Sequence, residues 1–522
     1  MFEASSLGGM VACADQLATS AGIGVLALGG NAVDAAIAAN AAMAVVEPGL
    51  CGMGGDLFAL VHHDGGVVAL NASGRAGSGV DAGALRRRGL REMPFRHDPV
   101  SVTVPGCVSG WVALHDRFGS LPLATLLAPA IRLADAGFPA SPLLVGSLAA
   151  LDDPGRAQLD ELVGQATAVG ARVRRPGVCR TLRAIATDGR DAFYEGEFGR
   201  GLVELGGGVL DEADVANAAA DWMTPLSVDV WGHTLWGLPP NSQNYLLLAA
   251  ARIAEMLGLP ADPADPSWAH VLVEAAVAAG RDRPRELHAD ADGEALIESI
   301  AGRAGELSLD RASGSTAPAA TGDTTYRCAV DDSGSAVSLI QSNAAGFGSW
   351  LVEPATGINL HNRGVGFSLE PGHPAELAPG ARPPHTLCAA IATRSEQGLA
   401  AVFGTMGGDA QPQILLQLAA RLLAGGESPS AAIEAARWVL EPARPESSGF
   451  DTWSATGGHT VAIEDHAPGG WLDGLAARGH RVRSAPGFSG HFGHAHAITV
   501  DADGLRRGAA DPRTIVGSAA GR

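Results

Sequence analysis

From Ala32 to Val46 the chain is almost continuously apolar and made of small side chains, with Gly29-Gly30-Asn31 before it and Glu47-Pro48 after it. Asn31 is placed to cap a helix, Asp34 can return a bond to the cap, and Pro48 cannot continue the helix. The pattern predicts a helix over 32–46 whose alanines let its backbone lie close against a sheet. Residues 56–72 then read as two strands, LFALVHH and GVVALNA, joined by a tight turn at Asp64-Gly65-Gly66.

From 106 to 280 apolar residues recur mainly at helical spacing, as in GWVALHDRF, LATLLAPAIRLADAG and SWAHVLVEAAVAAG. Residues 312–323, ASGSTAPAATGD, are polar and rich in small residues, a loop signature. Strands 325–330 and 335–341 follow, flanking a turn at Asp331-Asp332-Ser333-Gly334. The remainder mixes strands (AAIAT, LAAVFG, HAHAITV) with helices (QPQILLQLAARLLAG, SPSAAIEAARWVL). This predicts an α+β, layered architecture with no internal repeat.

Composition narrows the function. The chain has 522 residues, 46% hydrophobic and 18% charged, enough apolar surface for a large folded core. Its net charge of -20 disfavours phosphate backbones and anionic lipid, so neither nucleic acid nor a membrane is expected as a partner. With no signal-peptide pattern and no long apolar span, a cytoplasmic location is expected. The six cysteines are scattered singly and are expected to be free thiols.

Thr324 stands at the entrance of a strand, directly after the 312–323 loop. A threonine there becomes a self-sufficient nucleophile if its nitrogen is a free amine, because an α-amino group titrates near 7.7–8.0 and can take the proton of its own hydroxyl. That requires a cut between Asp323 and Thr324, which the hydroxyl could make by attacking the Asp323 carbonyl. Taken alone, a Thr-Thr pair is more often just part of a strand.

The words GGNAVDAAIAANAAMAVVEPGLCGMGGD, VPGCVSGWVALHDRFGSLPL, PPNSQ, DTTYRCAVDDSGSAVSLIQSNAAGFGS, TGINLHNRG and GTMGGDAQPQ occur in this order. Together they resemble the gamma-glutamyltranspeptidase family of N-terminal-nucleophile (Ntn) hydrolases. The resemblance implies a four-layer αββα sandwich and a self-cleaved precursor. Its large chain would be 1–323 and its small chain 324–522, forming one globular heterodimer, with a homodimer of these as a further option. It implies Thr324 as nucleophile, Ser342 as a hydroxyl bonded to it, and Gly407 and Gly408 as N–H donors to the oxyanion. It implies Arg75 as the clamp for a substrate carboxylate. No cofactor and no metal are implied.

Departures from the family pattern bear on substrate. Ala344 stands where gamma-glutamyl enzymes carry Asn, with Asn343 beside it, and the acidic pair that would hold a substrate ammonium is replaced by Arg363-Gly364-Val365-Gly366. His385-Thr386 replaces a Ser-Ser pair, and the lid-like stretch LEPGHPAELAPGA is short. Arg363, Asn343, His385 and Thr386 are therefore expected to line the substrate site, with Arg363 as a second clamp. The pattern looks more like a lidless branch that includes oxamate amidohydrolase-like and cephalosporin acylase-like members. The expected activity is hydrolysis, or transfer, of a carboxylate-bearing acyl group such as gamma-glutamyl from a small-molecule amide. The alternatives are a non-glutamyl amide such as an oxamate or glutaryl amide, and an inert scaffold on the same fold.

Three other signals are expected to be structural. His491, His494 and His496 lack an acidic or cysteine partner nearby in sequence that would complete a metal shell. His62-His63 is expected at the surface. The glycines of Gly49–Gly55 lack a phosphate-loop ending and are expected to support the floor of the site.

Overall fold

The computed structural model describes residues 3–314, 323–394, 398–442 and 458–522, so most of the loop expected at 312–323 lies outside the described residues. Helix Ala32–Val46 forms as its sequence predicts. Asn31 caps it in a reciprocal box with Asp34, and all fifteen of its residues are buried. Burial on every side explains why the helix shows no polar stripe: it is sandwiched between a sheet and other helices.

Two seven-stranded antiparallel sheets form the centre. One, the Thr324 sheet, runs in the order Ser518–Gly521, Met10–Cys13, Asp323–Val330, Ala336–Ala344, Asp56–His63, Gly66–Ala72 and Asp221–Met223. The other runs Ala4–Ser6, Arg506–Ala510, His494–Val500, Leu399–Met406, Ala389–Arg394, His233–Gly237 and Leu226–Val230. Between them lies an apolar layer that includes Phe58, Leu60, Tyr326, Ile340, Ile391, Val402 and Ile498. Helices Gln16–Ala27, Ala32–Val46, Leu123–Ala136 and Pro176–Asp188 form the layer outside the Thr324 sheet, and Tyr245–Leu257, Pro266–Gly280 and Gln411–Ala419 cover the other. The result is the expected four-layer αββα sandwich.

Both hairpins form. Asp64 (φ 49°) and Gly65 (φ 75°) are both left-handed, as a two-residue turn that matches strand twist requires. At the second turn the Asp331 carboxylate accepts the N–H groups of Ser333 (2.9 Å) and Ser335 (3.0 Å). His62 departs from expectation: it is buried, because its ring nitrogen meets the Gly334 carbonyl at 3.2 Å. His63 stays part-exposed and meets Ser335 Oγ at 2.9 Å.

Two further differences concern short strands. The stretch 106–280, read as mainly helical, contains Asp221–Met223, Leu226–Val230 and His233–Gly237, which form edge regions of both sheets. Runs of three to five residues carry too little periodicity to be recognised. The segment 428–440, read as one helix, is helical only over Pro429–Glu434; Trp438–Pro442 is a strand paired with His459–Glu464. All six cysteines are buried free thiols. Among the described residues no helix is long and apolar enough to cross a membrane.

Candidate active site

Thr324 is the second residue of the strand Asp323–Val330 and is buried. The ladder to its neighbour is irregular at this point: Asp323 pairs with Ala344 and Thr325 with Gln341, so Ser342 and Asn343 both face the level of Thr324. A bulge re-aims side chains, and here it brings two hydroxyls together. Thr324 Oγ1 lies 3.1 Å from Ser342 Oγ. Ser342 Oγ also accepts the Ala344 N–H at 2.8 Å and an Arg363 guanidinium hydrogen at 3.1 Å. Ala344 is left-handed (φ 75°), a conformation unfavourable for a residue with a Cβ.

Arg363 is buried, and its other terminal nitrogen donates to Thr386 Oγ1 at 3.0 Å. Burial lowers the guanidinium to about 10, with Asp56 and Asp409 opposing the shift, so it remains a cation. The structure thus joins Thr324, Ser342, Arg363 and Thr386 in one chain of contacts. Arg363 is not an open clamp: both terminal nitrogens already hold hydroxyls.

Asp56 was not singled out by the sequence, yet it organises the wall behind this chain. Its Oδ1 accepts the N–H groups of Gly74 (3.0 Å) and Gly106 (3.2 Å), and its Oδ2 lies 3.2 Å from His385 Nε2 and 3.6 Å from His361 Nδ1. Burial opposes its ionisation, but His361, His385 and Arg363 outweigh that and hold the carboxyl down at about 2. Burial, reinforced by Arg363, pushes His385 down to about 3, so its neutral ring gives the Nε2 hydrogen to Asp56. His385 therefore serves as a support for Asp56, with its ring edge against Phe58.

Asn343 also faces away from Thr324. Its amide donates to the Pro48 carbonyl (2.9 Å) and its N–H to the Leu50 carbonyl (3.4 Å). Gln341 holds Gly52 through its N–H and its carbonyl. The Gly49–Gly55 turn thus packs under the strand Ala336–Ala344, as its expected role as floor requires.

Gly407 and Gly408 end the strand Leu399–Met406, with φ of 150° and 53°. That strand crosses the Thr324 strand face to face at Gly404, where an added Cβ would sit 2.2 Å from a Tyr326 ring carbon. The close approach places the glycine pair three residues beyond this crossing and Thr324 two residues before it. The loop is braced by residues the sequence reading did not assign. Gln243 donates to the carbonyls of Thr386 (2.9 Å) and Gly408 (3.4 Å), and Arg283 links Gln243 (2.8 Å) to the Asp409 carboxylate (2.9 Å). Gln243 closes the PPNSQ word, so the signal was present as a motif without a role. A cleft of about 580 Å³ opens on Gly407, and Leu50, Ser147, His491, His494 and Arg513 also line it.

Arg75 sits apart from these contacts. Its guanidinium is half exposed, donates to the Gly380 carbonyl (3.1 Å) and lies 3.5 Å from Asp221. Asp221 is shared with Arg382 at 2.5 Å. Burial lowers the Arg75 pKa, and Arg382 lowers it further.

The three histidines near the C-terminus do not assemble into one cluster. His491 bonds Glu441 at 2.7 Å, while His496 stacks on Tyr326 and accepts the Asp511 N–H at 3.3 Å.

Comparison with known proteins agrees with this construction. The profile described as gamma-glutamyltranspeptidase matches residues 18–521. The oxamate amidohydrolase proenzyme of Klebsiella pneumoniae is 37% identical, with 98% of each chain covered. The glutathione hydrolase-like YwrD proenzyme of Bacillus subtilis is 33% identical, with 97% of each covered. Among solved structures, cephalosporin acylase from Bacillus halodurans superposes with a TM-score of 0.88 at 33% identity, covering 100% of this chain and 97% of that one. With nearly its whole length matched, and with the layered fold in common, this chain belongs to the gamma-glutamyltranspeptidase family.

Proposed function

We propose that this chain cuts itself between Asp323 and Thr324 and then hydrolyses small amides whose acyl part carries a carboxylate, through an ester on Thr324. The observation that carries the reading is the Thr324–Ser342–Arg363 chain. Ser342 Oγ accepts the Thr324 hydroxyl at 3.1 Å together with the Ala344 N–H and an Arg363 guanidinium hydrogen. This holds the Thr324 oxygen in place, and the buried Arg363 cation behind Ser342 favours the negative charge that builds on Oγ1 as it attacks.

In the first reaction Thr324 Oγ1 attacks the Asp323 carbonyl carbon, the C–N bond breaks, and the acyl group moves from nitrogen to oxygen. Water then hydrolyses the ester, leaving a carboxylate on Asp323 and a free amine on Thr324. In the second reaction that amine takes the hydroxyl proton, Oγ1 attacks the substrate amide, and the N–H groups of Gly407 and Gly408 face the tetrahedral oxygen. The proton passes to the departing amine, and water releases the acid. Positive φ at both glycines exposes their backbone to an approaching oxyanion.

The interleaving of the sheets supports a lasting heterodimer. Met10–Cys13 and Asp56–His63 come from the segment before the cut, and they flank the hairpin formed by two strands after it. Separating the chains would expose ladder edges and the apolar layer between the sheets. The short stretch after Phe367 is tied down by Ala76–Ala381 (2.8 Å), Gly380–Ala76 (2.9 Å) and Arg86–Glu376 (2.7 Å) contacts. Held in this way it leaves the acyl ester accessible to water, favouring hydrolysis over transfer.

For the substrate, Arg75 matches the family's carboxylate clamp and its guanidinium is half exposed, while Arg363-Gly364-Val365-Gly366 stands in place of the acidic pair that would hold an ammonium. The relatives named for oxamate and acylase activity fit this class. Assay of oxamate, succinyl, glutaryl and gamma-glutamyl amides with wild type and Arg75→Ala tests the reading. Free acid should be the product, and Arg75→Ala should lose about 10- to 100-fold in kcat/KM on every carboxylate substrate. Equal rates in the variant would remove Arg75 from the site. A processed enzyme inactive on all four amides would overturn the substrate class.

A further inference from the structure

Helix Pro266–Gly280 carries His270 and Glu274 one turn apart, hence on one face. His480, just past helix Gly470–Ala477, comes up beside them, and all three side chains are buried. Among the described residues their donor atoms all lie within 4.8 Å of one another. His270 Nδ1 and His480 Nε2 are 2.8 Å apart, and Glu274 Oε1 is 3.8 Å from His480 Nε2.

The surrounding bonds fix which electron pairs point inward. His270 Nε2 lies 2.8 Å from the Ser308 carbonyl, which has only lone pairs to offer, so this nitrogen carries the ring hydrogen and Nδ1 is bare. Glu274 Oε2 accepts the Ser313 N–H at 3.0 Å, while Oε1 is buried without a hydrogen-bond partner. A hydrogen between the two imidazoles would satisfy their facing nitrogens and still leave that carboxylate oxygen and His480 Nδ1 unpaired, an unfavourable state in an interior.

We propose that His270 Nδ1, His480 Nε2 and Glu274 Oε1 form a binding site for a divalent transition ion, and that the ion fastens residues 308–313 to this helix. Two imidazoles and a carboxylate suit zinc, with water as fourth ligand. The Ser308 carbonyl on His270 and the Ser313 N–H on Glu274 are the outer partners that orient metal ligands elsewhere. When the ion binds, the hydrogen shared by the imidazoles moves to His480 Nδ1, so that both rings bind as neutral ligands. Nothing in the chemistry at Thr324 passes through this site. His480 lies 210 residues from His270 in sequence, which is why no spacing motif announces the site.

The test is zinc itself. Purified full chain is dialysed against zinc, gel-filtered, and its metal content measured, beside Glu274→Gln, His480→Asn and a His491→Ala control. Wild type and control should retain about one ion per chain, and zinc should raise their melting temperature. The two ligand variants should bind at least about tenfold more weakly, with no zinc-dependent shift. If wild type holds no stoichiometric zinc, or if Glu274→Gln holds it as tightly, the site does not exist. The wild-type measurement decides even if a variant fails to fold.

Discussion

Arg363 donates to Ser342 at 3.1 Å from a position that is almost wholly out of water, and Ser342 meets Thr324 at the same distance. A buried guanidinium is thereby linked through one hydroxyl to the proposed nucleophile. Ser342→Ala removes that link and leaves the Arg363 and Ala344 donors without this acceptor. Its kcat should fall about 100-fold, with KM little changed and folding stability lower by about 1–3 kcal/mol. Steady-state kinetics with urea unfolding separates the two effects.

The Gly404–Tyr326 crossing leaves no room for a methyl group. Gly404→Ala should destabilise the fold by about 1–3 kcal/mol and displace the Thr324 strand. Combining it with Tyr326→Ala should recover part of that loss. A double-mutant cycle in denaturant checks this; strictly additive losses would show that the two residues do not oppose one another.

Gln243 ties the Gly408 loop to Thr386 without entering the proposed site. Gln243→Leu should therefore lower kcat by about tenfold through misplaced donors, while KM moves less. A change confined to KM would instead make Gln243 a substrate contact.

How legible this was depends on the scale of each feature. Helix Ala32–Val46, both hairpins and the position of Thr324 at a strand mouth follow from caps, turn residues and local pattern. Asp56, His361 and Gln243 lie in words the sequence reading quoted but received no role, because their partners lie far along the chain and nothing local distinguishes a buried aspartate at a strand start from a surface one. The same limit explains Arg363, Asn343 and His385. Sequence placed them near the site, but only packing shows that Arg363 grips hydroxyls, Asn343 holds Pro48 and His385 supports Asp56.

Ala344 stores strain that another residue would relieve. Replacing it with Gly, which tolerates positive φ, should stabilise the protein by about 1 kcal/mol. Equilibrium urea unfolding gives the difference; a loss of stability would show that the left-handed conformation is not under strain.

Buried neutral histidines make the fold sensitive to acid. Burial pushes His385 and His496 down to about 3 and His494 to about 4, against an unfolded value near 6.5. Between these values the unfolded chain binds more protons, so the stabilisation is complete above about 6.5 and is lost as pH falls toward the folded values. Each contributes a loss on the order of 2 kcal/mol between pH 7 and 5. Urea unfolding at the two pH values measures it, and an unchanged free energy would show that these rings are charged in the native state.

The central claim is tested most directly by intact mass measurement with N-terminal sequencing of the purified protein. The account predicts two chains in place of one of 52.9 kDa, the smaller beginning at Thr324, and a single uncut chain without activity for Thr324→Ala. A fully active, uncut wild-type chain, or a new N-terminus at another residue, would contradict it.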